Sequence, residues 1–365
     1  MLSKCLRNTF SGSLFSWGNN LIGRGTELSA DVFASLPIKI ALSNNLAARK
    51  ATSGFGQGIF VTENGELQLC GSKNIWTDMW LKPETPNSLA VFKGEIKVKD
   101  ADLDQSHILV LTEDGIVYQS ISKTQMSIVE LPGSSRLIAA GNNVSFAVVK
   151  IDKEEKLFGW GVTDFKNSSV FCQHYPEQKS PSEIFVINQL LKKTGESIKK
   201  IAVVDESVVL LTDKGTLLTW GNNTSACLGV PRSELSLIDN YVFEPSNPLK
   251  LANINDSIID FALSQNILVV QGKNGVYWCG LENRFSLRSV SLPDNGKIDK
   301  VGASHNHFYL IDSNGKIFTN QPIPGEKDLK FYGNENLYEI DQRYFGCSKI
   351  KSIEGKYHNA FAISN

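Results

Sequence analysis

Short apolar runs separated by polar–glycine turns recur along the whole chain in one fixed order. A run that ends on a turn glycine appears as IFVTENG up to Gly65, ILVLTEDG up to Gly115, VVLLTDKG up to Gly215, ILVVQGKNG up to Gly275 and FYLIDSNG up to Gly315. Asn-Gly and similar pairs supply the positive φ that tight hairpins need, so each glycine predicts a strand–turn–strand. After the glycine comes a second run closed by another glycine: GELQLCGSK at 65–73, GTLLTWGNN at 215–223 and GVYWCG at 275–280, with GSLFSWGNN at 12–20 standing alone near the start. Ahead of each pair lies a third run: IKVKDADLD from Ile96, RLIAAGNN from Arg136, IKKIAVVD from Ile198, IIDFALSQ from Ile258 and IDKVGASH from Ile298. The runs are short and rich in Val, Ile and Phe, which favours strands over the long segments of 3.6 period that helical repeats require.

Counted this way, six complete units occupy 47–71, 96–120, 135–161, 198–221, 258–280 and 298–320. A seventh is split. Its early strands lie in IKSIEGKYHNAFAIS at 350–364, and the late strand it lacks is GSLFSWGNN at 12–20. A ring closed by pairing the two ends would leave no open sheet edge, so the predicted fold is all-β: a seven-bladed β-propeller over 12–365, with one blade shared between 12–20 and 350–365.

The repeat of about 50 residues is longer than a WD repeat and has no Trp-Asp signature, and kelch-type Gly-Gly doublets are missing. The stretches LFSWGNNLIGRG at 14–25, LFGWG at 157–161 and LLTWGNNTSACLGVP at 217–231, with GASH and GKYH before blade strands, resemble regulator of chromosome condensation repeats. The resemblance runs from 12 to 365. It is strong at Trp17-Gly18, Trp160-Gly161 and Trp220-Gly221, weaker where Cys70 and Cys279 replace Trp, and nearly erased at Gln119-Ser120 and after Phe318, the pattern of a diverged member.

Composition removes several function classes. Thirty-seven basic residues face 38 acidic ones, for a formal charge of -1, which gives no global field for nucleic acid. No apolar run is long enough for a membrane-spanning helix. The six cysteines are scattered without a CxxC pair, so no zinc ribbon or disulfide scaffold is expected. Residues 1–11, MLSKCLRNTFS, carry Lys4 and Arg7, and no acid precedes Glu27. This reads as a short mitochondrial targeting extension, with a cytoplasmic location as the alternative.

Chemistry-bearing groups are sparse. Asp100, Asp102 and Asp104 alternate as in a calcium loop, but Gln105 and Leu111 stand where that loop needs Gly and Glu, so they read as a solvated strand face. His305 and His307 lack completing ligands, His305 and His358 occupy the structural histidine position that the resemblance implies, and GFGQG at 54–58 has no following GKS or GKT. No catalytic residue, metal site or cofactor is predicted, and no enzyme. In the connections, PSEIFVINQLLKK predicts a helix capped by Ser182 with Phe185, Leu190 and Leu191 toward one side. The segments 222–257 and 320–349 read as ordered loops. Trp76, Met79 and Trp80 are the candidate partner contact.

These observations favour a non-catalytic protein-interaction scaffold, an accessory subunit of a large mitochondrial complex of the respiratory or ribosomal kind, with no nucleic-acid partner. The alternative implied by the resemblance is guanine-nucleotide exchange on a small GTPase, through one propeller face and a projecting hairpin in an early blade. The stretch 119–135 holds no long projecting insertion, and no exchange residue can be carried over.

Overall fold

The computed structural model describes residues 13–19, 33–40, 42, 46–54, 57–71, 87–88, 96–105, 107–122, 125–162, 170–171, 177–231, 241–280, 286–293, 296–322, 330–332, 337–346, 348–357 and 359–364. Seven antiparallel sheets stand around one axis. Blades 1 to 6 begin with the inner strands Ala48–Ser53, Val98–Leu103, Ser134–Gly141, Ile198–Val204, Ile258–Leu263 and Ile298–Ser304. Blade 7 takes its inner strands, Ile350–Glu354 and Asn359–Ser364, from the end of the chain and its outer strands, Leu14–Asn19 and Phe33–Ile40, from the beginning. Leu14 lies opposite Ile363 and Gly18 opposite Asn359, so pairing of the two ends closes the ring as the sequence predicts.

The second strands are the most deeply buried, because each is covered on both faces by a neighbouring blade. In Ile108–Thr112, Ser207–Thr212 and Ile267–Gly272 every residue is buried, and the sequences ILVLT, SVVLLT and ILVVQG have accordingly lost the polar alternation of a half-exposed strand. Successive inner strands approach so closely that a Cβ on Gly302 of blade 6 would sit 2.3 Å from the Ile353 carbonyl oxygen of blade 7. The tryptophans staple blade to blade. Trp17 Nε1 donates to the Tyr309 hydroxyl at 3.1 Å, and Trp160 Nε1 donates to Gln119 Oε1 at 2.6 Å, so the glutamine that replaces the repeat tryptophan in blade 2 serves as the acceptor for the one in blade 3.

Several local expectations change. Each blade has a fourth, outer strand that the apolar pattern does not reveal, and blade 6 has a fifth, Lys330–Tyr332. The segments read as loops therefore hold strands Tyr241–Ser246 and Leu337–Ile340 and the short helix Pro248–Leu251. The predicted helix exists over Phe185–Thr194, but Ser182 belongs to strand Glu177–Glu183 and caps nothing; Ile184 is the N-cap residue, and Ile187 and Leu191 are the buried positions while Phe185 is exposed. No helix among the described residues is long and apolar enough to cross a membrane.

Candidate functional site

Antiparallel order gives the ring two unlike ends. At one end lie the turns between first and second strands together with the ends of the third strands; this is the turn face. At the other, the bulge face, every inner strand starts with a register shift one residue wide, skipping in order Arg49, Lys99, Arg136, Lys199, Ile259, Asp299 and Lys351. A bulge re-aims the extra residue away from the ladder, and two of these residues, Arg49 and Lys351, line the central cavity.

The turn face is polar around the axis and poor in cations. Its first-to-second turns present Gln105, Asn142, Asp205, Gln265, Asn266 and His305, and the turns interlock from blade to blade. Asn142 N–H donates to the Asp205 carbonyl at 2.8 Å, Gln105 Nε2 to Asp205 Oδ1 at 3.0 Å, and Asn266 Nδ2 to Asn306 Oδ1 at 2.7 Å. Asp205 and His305 have positive φ, at 52° and 39°, which places them at the tips of tight turns.

The centre of this face is filled by the last turn of the chain, Gly355–Lys356–Tyr357. Lys356 leaves blade 7 and crosses the axis: its Nζ donates to Asp102 of blade 2 at 2.9 Å and to the Ala140 carbonyl of blade 3 at 2.6 Å. Its backbone N–H reaches Ser53 Oγ of blade 1 at 3.0 Å, and its carbonyl accepts from Gln265 of blade 5 at 2.8 Å. Tyr357 extends to Asp104 of blade 2 and, at 2.8 Å, to Asp205 of blade 4. One turn thus ties blade 7 to five others.

Burial pushes the Asp104 carboxyl up to about 7, with Lys356 opposing and Asp205 adding to the rise. Asp205 is also raised by burial, and Tyr357 is raised by burial and by both carboxylates. A phenol has one proton and so donates to one carboxylate only; protonated Asp104 can supply the second hydrogen bond by donating to the Tyr357 oxygen. His107, which bonds Ser145 Oγ at 2.7 Å, is lowered to about 4 by burial and by Lys356, so it is neutral.

The aspartates read as a solvated strand face are therefore the opposite. Asp102 and Asp104 are buried and held by a lysine and a tyrosine some 250 positions away in sequence, the first as an ion pair and the second as a hydrogen bond, and Asp100 pairs with Lys50. The partner-contact candidates Trp76, Met79 and Trp80 lie outside the described residues, as do His358, Phe55 and Gly56. His307 stacks on Tyr309 and is lowered to about 4 by burial, while His305 sits in the turn beside Asn266. Among the described residues no cluster of His, Cys, Asp or Glu is arranged to hold a metal ion.

No family model matches the chain. Two sequence relatives do. An RCC1-like G exchanging factor-like protein of Mus musculus is 23% identical over 69% of this chain, and the guanine nucleotide exchange factor SRM1 of Saccharomyces cerevisiae is 21% identical over 62% of it. These matches span 58% and 50% of the relatives, so the chain covers little more than half the length of the curated relatives it matches. These relatives, together with the seven-bladed ring, support reading the chain as a diverged relative of the regulator of chromosome condensation family. In fold, it superimposes on Prp20p of Saccharomyces cerevisiae, a structure reported with that protein's binding to Gsp1p and histones, with a TM-score of 0.75, 14% identity and coverage of 97% of this chain and 91% of that one.

The sequence relatives carry the name of exchange factors, and this overturns the scaffold-subunit expectation in favour of its alternative. The scaffold reading rested on missing catalytic motifs. Nucleotide exchange leaves no such motif, because it is driven by preferential binding and makes or breaks no covalent bond.

Proposed function

We propose that this protein is a guanine-nucleotide exchange factor for a small GTPase and that the turn face is its GTPase contact. The observation that carries the proposal is that both sequence relatives are named as exchange factors. The character of the turn face supports it. Among the described first-to-second turns and third-strand ends, the one lysine or arginine is Lys356, and it is buried against Asp102. The face therefore offers carboxylates and amides, which complement a cationic partner surface and oppose the phosphates of a bound nucleotide. An exchange factor must hold the nucleotide-free GTPase more tightly than the loaded one, since by linkage the same free-energy difference weakens nucleotide binding.

Strand Leu67–Gly71 ends at this face, so we assign Trp76, Met79 and Trp80, which follow it in sequence, to the same contact. We also propose that residues 1–11 direct the chain to mitochondria, which places the GTPase there.

Size-exclusion chromatography with a panel of small GTPases that includes Gsp1p tests the exchange proposal. The expected result is a stable complex with one nucleotide-stripped GTPase that dissociates on adding GDP with magnesium. Complexes with none of them, or one indifferent to GDP, would reject it.

A further inference from the structure

The bulge face carries a concentration of positive charge that the net charge of -1 conceals. Five of the seven bulged residues are basic, and Lys50, Lys200 and Lys300 follow directly after three of the bulges. Most of these cations join adjacent blades. Arg49 donates to the Val98 carbonyl and, at 3.0 Å, to Glu113; Arg136 binds Glu155 at 2.7 Å and the Ile198 carbonyl; Lys199 donates to the Ile259 carbonyl at 2.6 Å; Lys50 pairs with Asp100, and Lys200 with Asp260 at 2.7 Å.

The pattern stops at blades 6 and 7. The position that is aspartate in blades 2 and 5 is Ser352 in blade 7, so Lys300 has no carboxylate to meet there. Among the described residues Lys300, Lys351 and the Ser352 hydroxyl make no ion pair or hydrogen bond, and both lysines are exposed. All three line the central cavity, a space of about 450 Å³ open at this face. Its walls hold six cations, Arg49, Lys50, Lys200, Lys300, Lys351 and Lys356, against three carboxylates, Asp102, Asp260 and Glu354. Two of those carboxylates are engaged by Lys356 and Lys200.

From this we infer that the bulge-face mouth of the channel is a binding site for a compact polyphosphate anion, held by Lys300 and Lys351 with Ser352 as a further donor. A channel mouth with an excess of cations and low-dielectric walls concentrates such an anion, and paired lysines suit a ligand with several phosphate groups. The site lies at the opposite end of the ring from the proposed GTPase contact and does not depend on it.

The test is isothermal titration calorimetry of the full chain with inorganic tripolyphosphate at low ionic strength. One equivalent should bind, and Lys300→Ala/Lys351→Ala should weaken binding by about tenfold or more, a modest share of what two near-contact charges supply at an effective dielectric of ~20. Glu354→Gln, which removes a carboxylate from the cavity wall, should tighten binding. Lys150→Ala/Lys153→Ala, on exposed blade 3 positions away from the channel, should leave it unchanged. Absence of binding to the unaltered chain, an equal loss in the blade 3 variant, or binding of an oligoglutamate peptide in place of tripolyphosphate would each overturn the assignment.

Discussion

Replacing Lys356 with methionine removes one charge and keeps the length of the side chain, so it isolates the latch at the centre of the turn face. Lys356 and Asp102 are each 7% exposed, and the ammonium lies 2.9 Å from both carboxylate oxygens and 2.6 Å from the Ala140 carbonyl. Removing one partner of a buried ion pair costs about 3–5 kcal/mol, because it strands the other charge without compensation. Lys356→Met should therefore destabilise the ring by about that amount, a large fraction of the ~5–15 kcal/mol that holds a typical domain folded. Asp102→Asn alone should also be costly, since it leaves the ammonium without its counter-charge. Adding Asp102→Asn to Lys356→Met should recover part of the loss, with a coupling energy of about 1–3 kcal/mol. Equilibrium denaturation of the four proteins closes the cycle. If the two single changes add without coupling, or if Lys356→Met costs under ~1 kcal/mol, a typical surface-pair value, the latch does not hold the ring closed.

Two further tests bear on the same architecture. The Asp104 carboxyl has a folded-state value of about 7 against 3.8 for its ordinary value, so the fold favours its protonated form, and its contribution to stability declines as pH rises through that window. Asp104→Asn, neutral throughout, should gain stability relative to the natural chain between about pH 5 and about pH 7, by at most ~1.4 kcal/mol per pH unit; denaturation midpoints that keep a constant difference across this range would refute it. Gly302→Ala should destabilise by about 1–3 kcal/mol through overpacking against the next blade, whereas Gly296→Ala, whose nearest neighbour to the added carbon would be 3.3 Å away, should be close to neutral by thermal melting; equal midpoints would show that the blades do not meet as closely as described.

The ring was legible in the sequence because its inner three strands are written in local signals, apolar runs, turn glycines and Trp-Gly closures, and the split blade follows from where those signals start and stop. The outer strands were not. EQKSPSE at Glu177–Glu183 is polar because its strand borders solvent, so it carries no apolar alternation to read. The latch was hidden for another reason: nothing near Asp102 or Asp104 in sequence foretells a lysine and a tyrosine arriving across the axis from the far end of the chain, and alternating aspartates on a strand read locally as a wet face. The helix boundary shifted because Ser182 was spent on a strand, leaving Ile184 as an N-cap with no side-chain bond. Function was least legible, since a binding face that releases nucleotide needs no residue constellation that a motif search recognises.

The most direct test of the exchange reading is stopped-flow release of a fluorescent GDP analogue from small GTPases, in excess unlabelled nucleotide, with and without the full chain, together with Asp205→Ala and Gln105→Ala variants of the turn face. The reading predicts that one GTPase releases its nucleotide many times faster in the presence of the chain, that the acceleration saturates with chain concentration, and that the turn-face variants reduce it. Unchanged release across the panel, or acceleration untouched by the turn-face variants and abolished by changes at the bulge face, would contradict it.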